Sequence, residues 1–290
     1  MIGIFTSNEN DWNVRQLKEE MEKREIQCAC FPITDFVARV SEEPRVTCGG
    51  YDLENFDALL VRWVPRGSAE QTIFRMDVLH RLENLGIRII NPALSIERSA
   101  DKYYTCSLLE DIGIPTPRTI ATENYGDAMS AFLELKDVVI KPLFGSLGVG
   151  ILRVDDKDLA YRVFRALEFG RNVCYVQEYI PHNKQDIRAF VLGDEVIASM
   201  KRLGSTWKTN FSRGARVQAH KLSNELEEMS LRAAEALGCE YAGVDILESE
   251  SGEHYVVEVN TIPGWKGLQS TTETNIAEKI IDYVLSTRGE

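Results

Sequence analysis

The first ninety residues alternate short apolar runs with amphipathic segments. Apolar runs predict buried strands, and apolar side chains three or four positions apart predict helices. Strands are predicted at Ile2 to Thr6, Ala58 to Trp63 and Ile87 to Ile90, and helices at Asp11 to Lys23 and Phe74 to Leu85. Alternating strands and helices are typical of a parallel α/β layer.

A further helix is predicted at Lys102 to Ile112, because Gly113 and Pro115 follow it as a helix stop signal. Beyond Pro117 the order changes to strand pairs mixed with single helices, which indicates an α+β arrangement. The predicted strands lie at 118–121, 138–141, 151–154, 174–179, 187–192, 196–201, 242–248 and 254–260. The predicted helices lie at 127–135, 159–169 and 225–237, and a last amphipathic helix carries Ile276 to Leu285.

The sequence therefore predicts a mixed α/β and α+β fold in three units. A chain of 290 residues can form two or three compact domains, since domains usually have about 100 to 200 residues. We expect an N-terminal α/β domain at 1–95, a central unit with a glycine loop at 96–180, and a C-terminal unit at 181–290.

The composition of the chain argues against several classes of protein. The chain is 44% hydrophobic and 27% charged, and 33 Lys and Arg residues against 45 Asp and Glu residues give a net charge of −12. This acidic balance argues against a nucleic-acid partner, since phosphate backbones bind clustered basic residues. The longest apolar runs are far shorter than the roughly 20 residues that span a bilayer. The first residues also lack the basic and apolar regions of a signal peptide. We therefore expect a cytoplasmic protein without a membrane partner.

The cysteines and histidines do not indicate a metal cage or a disulfide framework. The six cysteines include no CxxC pair, and the four histidines lie far apart in the sequence. Zinc sites and disulfide-rich scaffolds require closer and more regular spacing. Most of these cysteines are expected to be thiols without a function.

A glycine loop, Gly145 to Gly150, lies between the predicted strands Val138 to Lys141 and Ile151 to Val154. It matches neither the Walker motif nor the dinucleotide fingerprint, because a strand and not a helix follows it. Glycine lets backbone amides approach a phosphate chain closely, and Lys141 would direct its ammonium at the same phosphates. An ordinary flexible hairpin explains the same pattern equally well.

Two carboxylates and an amide lie on two neighbouring strands near the C-terminus. Side chains alternate along a strand, so Glu258 and Asn260 face the same way, and Asp245 can join them from the strand before. Hard oxygen ligands of this kind suit magnesium, which shares its other positions with water and phosphates. A hairpin with a solvated charged face is the alternative.

The segment from Asp186 to Lys221 is basic within an acidic chain, which suggests a site for a small anion. Arg188 follows Asp186 at strand spacing, and arginine pairs well with carboxylate or phosphate oxygens. Arg216 and Lys221 are better explained as part of a solvated basic face. In the N-terminal unit, Trp63, Pro65 and Arg66 follow a core strand, where they either form an ordinary loop or face a substrate.

Taken in order, these motifs resemble the ATP-grasp superfamily of carboxylate-amine ligases, and in particular its RimK-type branch of glutamate ligases. Each motif is loose alone, but the ordered set is specific. The matching segments are Ser99 to Lys102, Gly113 to Pro117, Val139 to Pro142, Gly145 to Gly150, Gln177 to Ile180, Asp186 to Arg188, Asn210 to Ala215, Gly243 to Asp245 and Glu258 to Asn260. The resemblance implies an ATP-grasp fold, with an N-terminal pre-ATP-grasp domain and two α+β subdomains that enclose the nucleotide.

The resemblance also implies roles for residues. Arg188 and Arg202 would face the transferred phosphate and the acyl phosphate, and Asp245, Glu258 and Asn260 would bind two Mg²⁺ or Mn²⁺ ions. The implied ATP-binding residues are Lys102, Lys141, Gly145, Ser146, Gly148, Gly150, Gln177, Glu178, Tyr179, Ile180, Asp186, Lys208, Thr209 and Asn210. The implied reaction forms an acyl phosphate on an acceptor carboxylate and couples it to the amino group of L-glutamate.

The acceptor is less sharply indicated. Members that glutamylate tetrahydromethanopterin are similar in length and share a Pro-Gly-aromatic stretch, here Pro263 to Trp265. A ribosomal protein, a deazaflavin coenzyme or an amino-acid carrier protein is the alternative acceptor. A non-catalytic ATP-binding regulatory module is the alternative of another class. The family also implies a homodimer or homotetramer.

Overall fold

The computed structural model describes residues 1–145, 148–209 and 214–286, and four β-sheets lie within these ranges. Three sheets carry the main layers of the fold, and the fourth is a small antiparallel sheet of three short strands. No helix in the described ranges is long and apolar enough to cross a membrane.

The N-terminal part contains a four-stranded sheet whose neighbouring strands are all parallel. Its elements are β1 (Ile2–Phe5), α1 (Trp12–Lys23), β2 (Cys28–Phe31), β3 (Phe36–Ala38), β4 (Val46–Cys48), β5 (Tyr51–Asp52), β6 (Ala58–Val61), α2 (Ala69–Asn84), β7 (Arg88–Ile90), α3 (Ala93–Ala100) and α4 (Lys102–Asp111). The strand order is β2-β1-β6-β7, and β3, β4 and β5 form the small sheet. Every residue of β1 and β6 is buried, which explains their uninterrupted apolar sequences.

The structure adds elements that the hydrophobic pattern did not predict. Strand β2, the small sheet and helix α3 were all missed, because short segments carry little periodicity. Helix α2 begins at Ala69 and not at Phe74. Its start is fixed by a capping box in which Ser68 and Gln71 bond to each other's backbone amides.

The central part is an antiparallel sheet in the order β10-β9-β11-β8, packed against two helices. Its elements are β8 (Thr119–Thr122), α5 (Tyr125–Leu135), β9 (Val138–Lys141), β10 (Leu152–Val154), α6 (Lys157–Phe169) and β11 (Cys174–Glu178). The glycine loop connects β9 to β10, as the sequence predicted.

The C-terminal part is a five-stranded antiparallel sheet in the order β14-β13-β12-β15-β16. Its elements are β12 (Gln185–Leu192), β13 (Glu195–Leu203), β14 (Arg216–Ala219), α7 (Asn224–Leu237), β15 (Tyr241–Glu248), β16 (His254–Asn260), α8 (Lys266–Gln269) and α9 (Ile276–Ser286). Strand β14 and helix α8 were not predicted. The mixed α/β and α+β class is confirmed.

The N-terminal and C-terminal parts share one hydrophobic core. Ile2 and Leu17 belong to the same buried cluster as Phe190, Trp265 and Ile280. Helices α1 and α9 pack together within it. The first and last layers are therefore bound by continuous apolar packing as well as by the chain.

A buried amide links the same two layers. The side chain of Asn91, which is 0% exposed, donates to the carbonyls of Tyr241 and Thr261 at 2.8 and 2.6 Å. Its oxygen accepts hydrogen bonds from the amides of Glu240 and Tyr241 at 2.7 and 3.0 Å. Helix α4 also crosses between layers, since Leu109 is part of the core of the C-terminal sheet. The domain limits at residues 95 and 180 stay a prediction.

Candidate active site

Four buried charged side chains lie together on strands β12, β13 and β15. The register pairs Asp186 with Arg202, and Arg188 with Asp245. Arg202 donates from Nε and Nη2 to the two oxygens of Asp186, both at 2.6 Å. Arg188 holds Asp245 in the same bidentate way, with Nη2 at 2.6 Å from Oδ2. We refer to Asp186, Arg188, Arg202 and Asp245 as the arginine–aspartate cluster.

The cluster is continuous, because Arg202 also lies 2.9 Å from Asp245. All four residues are less than one-tenth exposed. Burial alone would raise the pKa of the Asp245 carboxyl, but Arg188 and Arg202 outweigh it, so that pKa lies below its ordinary value. Burial likewise opposes the charge of Arg202, but the two aspartates raise its pKa. Asp245 and Arg202 are therefore charged.

One predicted metal ligand, Asp245, belongs to this cluster, and the other two lie on the neighbouring strand β16. Asp245 is directly opposite Glu258 in the sheet, and Gly243 is opposite Asn260, with a bulge after Asp245. Glu258 forms no hydrogen bond or ion pair with a described residue, although its charge acts on Lys102 and Lys141. Asn260 accepts a hydrogen bond from the Ile262 amide at 3.0 Å.

The chemistry of this donor set fits Mg²⁺. Two carboxylates and an amide are hard oxygen donors, and Mg²⁺ takes its remaining positions from water and phosphate. No group of three or more His, Cys, Asp or Glu side chains suited to a metal occurs within the described ranges. A metal bound by Asp245, Glu258 and Asn260 would therefore need non-protein oxygens to complete its coordination.

Two lysines face the glycine loop and the centre of the site. Lys102, the first residue of α4, donates from Nζ to the carbonyl of Gly145 at 2.7 Å and lies 3.4 Å from that of Leu143. Lys141, the last residue of β9, donates to Oε1 of Gln177 at 2.6 Å. Burial lowers the pKa of both ammonium groups. Neither forms an ion pair with a described residue, so their positive charge is left for a bound anion.

The glycine loop needs glycine for conformational reasons. Gly148 and Gly150 have φ values of 67° and 78°, which other residues rarely adopt. A Cβ at Gly150 would also lie 2.9 Å from Cγ of Pro142. Ser146, a predicted ATP-binding residue, lies outside the described residues.

In the predicted adenine-binding segment, Gln177 to Ile180, the side chain of Gln177 is buried. Gln177 donates from Nε2 to Thr119 Oγ1 at 2.9 Å and to the Tyr175 hydroxyl at 3.0 Å, while its Oε1 accepts from Lys141. The amides of Glu178 and Tyr179 donate to the carbonyls of Arg118 and Asp137. Gln177 is therefore a partner of Lys141, whatever the segment contributes to adenine binding.

Lys208 and Thr209 connect the cluster to the loop. The hydroxyl of Thr209 donates to Asp186, and Nζ of Lys208 donates to the carbonyl of Ile151 at 2.7 Å, just after the glycine loop. Asn210, the remaining predicted ATP-binding residue, lies outside the described residues, as does most of its motif.

The structure thus brings residues of helix α4, the central part and the C-terminal part to one place. It links Lys102, Lys141 and Lys208 with the glycine loop and its flanks, and it places Glu258 next to Asp245 of the arginine–aspartate cluster. The sequence did not predict that Arg188 and Arg202 pair with Asp245 and Asp186. Aspartate and arginine in register on neighbouring strands were the available signal, but register cannot be assigned without the fold.

Comparison with known proteins identifies the family. Residues 1–96 match the RimK PreATP-grasp domain, and residues 99–284 match the RimK-like ATP-grasp domain. The chain is 36% identical over 290 residues to the tetrahydromethanopterin:alpha-L-glutamate ligase of Methanococcus maripaludis, with 98% of both chains covered. It is 35% identical over 291 residues to the ligase of the same name from Methanocaldococcus jannaschii, again with 98% of both covered.

A similar fold occurs among solved structures. The ATP-grasp ligase PsnB, solved with a minimal precursor, superposes with a TM-score of 0.78 at 20% identity, and 98% of each chain is covered. These matches confirm the fold and the family that the ordered motifs indicated. The chain belongs to the RimK-like ATP-grasp ligase family.

Proposed function

We propose that this protein is an ATP-dependent ligase that joins the amino group of L-glutamate to a carboxylate of tetrahydromethanopterin. Two relatives named for this reaction are 36% and 35% identical to the chain and match nearly all of it, which supports the acceptor. The alternative acceptors are a ribosomal protein, a deazaflavin coenzyme and an amino-acid carrier protein. The alternative of another class is a regulatory module that binds ATP without catalysis. A homodimer or homotetramer stays a prediction.

The observation that carries the ligase proposal is the distribution of charge in the site. The ammonium groups of Lys102 and Lys141 bind only neutral oxygens among the described residues, and Glu258 has no ionic partner there. Uncompensated positive charge beside a glycine loop suits the phosphates of ATP. An unpaired carboxylate next to it suits the metal that accompanies those phosphates.

The proposed reaction has two steps. An oxygen of the acceptor carboxylate attacks the γ-phosphorus of ATP, ADP leaves, and an acyl phosphate forms. The neutral amine of glutamate then attacks the acyl carbon, and phosphate leaves from a tetrahedral oxyanion as the nitrogen loses one of its two protons and keeps the other in the amide. Activation is required because a carboxylate is a poor electrophile at neutral pH. Both steps develop negative charge on oxygen, which fixed positive groups stabilise.

Different lysine and arginine side chains would stabilise this negative charge at different positions. Lys102 and Lys141 would bind the phosphate chain, and Lys208 would approach it from the other side of the loop. Arg188 and Arg202 use Nε and Nη2 on the aspartates, and Nη1 of neither bonds to a residue in the described ranges. We propose that these Nη1 groups contact the transferred phosphate, while the aspartates fix the planes of the guanidinium groups.

Asp245, Glu258 and Asn260 would hold Mg²⁺, which neutralises phosphate charge when it is bound. Because Asp245 is engaged by both arginines, metal binding would have to share its carboxylate with them. We also propose that two ions bind and that Mn²⁺ can replace Mg²⁺. Measuring nucleotide affinity as a function of the concentration of each metal would test both points.

The proposed function is tested by incubating the purified protein with magnesium-ATP, L-glutamate and tetrahydromethanopterin. We expect ADP release and a product heavier than the acceptor by one glutamyl residue, both dependent on each component. A parallel panel with a deazaflavin coenzyme, a ribosomal protein and a carrier protein tests the other acceptors. A product on one of those alone would replace tetrahydromethanopterin. ATP binding with neither ADP release nor product across the panel would favour the regulatory module.

A further inference from the structure

One arginine of the N-terminal layer reaches the glycine loop from outside the ATP-grasp sheets. A Cβ built on Gly145 would lie 3.6 Å from Nη2 of Arg66. The charge of Arg66 also acts on Lys102, where it adds to the lowering of the lysine pKa that burial causes. Arg66 is therefore part of the positively charged surroundings of the loop.

The guanidinium of Arg66 is available for a ligand. The side chain is exposed, and it makes no hydrogen bond or ion pair with the residues that the structure describes. The arginines of the arginine–aspartate cluster are, in contrast, buried and paired. An arginine without a carboxylate partner, beside a loop suited to ATP, can bind the carboxylate of a second substrate through two parallel hydrogen bonds.

The loop that carries Arg66 is held firmly on both sides. Arg75, which is 7% exposed, donates to the carbonyl of Pro65 at 2.9 Å. On the other side, a Cβ built on Gly67 would lie 2.9 Å from Nη1 of Arg75 and 3.0 Å from Cβ of Gln71, and Ser68 caps helix α2. A guanidinium on such a fixed backbone loses less freedom on binding than one on a mobile loop.

The strand order of the N-terminal sheet also supports a ligand site near Arg66. In the strand order β2-β1-β6-β7, the chain leaves β1 towards β2 on one side, while β6 lies on the other. Ligands of open parallel α/β sheets bind at the carboxyl ends of the strands where the order reverses. Arg66 lies in the segment that follows the carboxyl end of β6, and its guanidinium is near Gly145 of the glycine loop.

We propose that Arg66 binds the carboxylate of the acceptor next to the γ-phosphate of ATP. This inference rests on the proposed function and adds a substrate-binding residue from the N-terminal layer. The acceptor and not glutamate is favoured, because the acceptor carboxylate must reach the γ-phosphate before the amine reacts. Arg66 would hold that carboxylate beside the loop that covers the phosphates.

The activation step can be measured without glutamate. With magnesium-ATP and tetrahydromethanopterin, hydroxylamine attacks the acyl phosphate, and a hydroxamate and phosphate are released in place of the amide. We expect Arg66→Ala to raise the KM for the acceptor in this assay at least tenfold, since hydrogen bonds to charged groups have about this effect. The KM for ATP should change less than about twofold, because Arg66 is proposed to bind the acceptor and not the nucleotide. Arg66→Lys should fall between, because it keeps the charge and loses the fork.

Arg81→Ala is the matched control, since Arg81 is exposed on the same layer but near the far end of α2. It should leave every constant unchanged. An unchanged acceptor KM with a raised glutamate KM in the full reaction would assign Arg66 to glutamate and overturn the proposal. An equal rise in the KM for ATP would assign it to the phosphates and overturn it as well. If the wild-type protein forms neither hydroxamate nor glutamyl product, the proposed function itself fails, and this inference fails with it.

Discussion

Asp245 on β15 and Arg188 on β12 lie opposite each other in the sheet and form a buried bidentate ion pair, while Arg202 approaches the same carboxylate from β13. One carboxylate thus contacts two guanidinium groups, one of which, Arg202, also pairs with Asp186. The metal set that the sequence predicted also includes this carboxylate. Removing the Asp245 carboxylate should therefore affect the stability of the fold as well as the reaction.

Asp245→Asn leaves two buried arginines without full compensation. We expect the free energy of unfolding to fall by about 3 to 5 kcal/mol, which is typical when one partner of a buried ion pair is removed. Urea denaturation of the variant and the wild-type protein measures this difference. Asp77→Asn is the control, because Asp77 is exposed on α2. A loss below about 1 kcal/mol would show that the pair is weaker than its geometry indicates.

The same geometry shows what the sequence could and could not predict. The motifs around Lys102, Lys141 and Glu258 indicated the family, and the apolar pattern correctly predicted the strand of Asp245 and the following strand, which carries Glu258 and Asn260. Alternation gives the face of a side chain but not its neighbour across the sheet. The pairing of Arg202 with Asp186 and Asp245 depends on that neighbour, and so it became visible only in the fold.

The N-terminal layer was the harder part to predict. The periodicity of β1, α1 and α2 was strong enough to indicate a parallel layer, but β2 has no alternation of apolar and polar residues that would distinguish it. Arg66 lies near Gly145 of the glycine loop, although the two residues are far apart in sequence. No local pattern indicates such proximity.

Glu258→Gln should separate metal binding from stability. Glu258 has no hydrogen bond or ion pair among the described residues, so we expect the midpoint of thermal unfolding to stay within a few degrees of the wild-type value. Calorimetric titration with ADP, with and without Mg²⁺, should show that Mg²⁺ no longer strengthens binding. Glu253→Gln, on an exposed turn, is the control. Full magnesium dependence in the Glu258 variant would remove Glu258 from the set of metal ligands.

Lys141→Met keeps the length of the side chain and removes its charge. We expect the dissociation constant for ADP to rise at least tenfold, because a charge-assisted contact is lost. Stability should be unchanged or higher, since burial disfavours the ammonium and lowers its pKa. Lys157→Met, an exposed change on α6, is the control for both measurements. Lower stability with unchanged ADP affinity would make Lys141 a structural residue.

Glu20 gives a stability prediction far from the site. Burial opposes its charge, but hydrogen bonds from Lys23, Arg24 and Asn275 outweigh burial and lower its pKa from 4.5 to about 2. A lowered carboxyl pKa stabilises the folded state above pH 4.5, and this contribution is lost as the pH falls towards 2. The difference in unfolding free energy between wild type and Glu20→Gln should therefore be largest near neutral pH and shrink across that range.

Urea denaturation at a series of pH values measures this difference. Glu19→Gln, which changes an exposed neighbour on α1, should show no such trend. A difference between wild type and Glu20→Gln that does not vary with pH would mean that the lost contacts do not depend on the charge of Glu20.

The core that joins α1 to α9 also bears on the order in which the protein can fold during synthesis. The ribosome makes β1 and α1 long before α9, yet Ile2, Leu17 and Ile280 belong to one buried cluster. Until α9 emerges from the ribosome, this apolar face of the N-terminal layer stays uncovered, and a nascent chain in that state is prone to aggregate. This apolar seam can therefore close only after α9 has been synthesised.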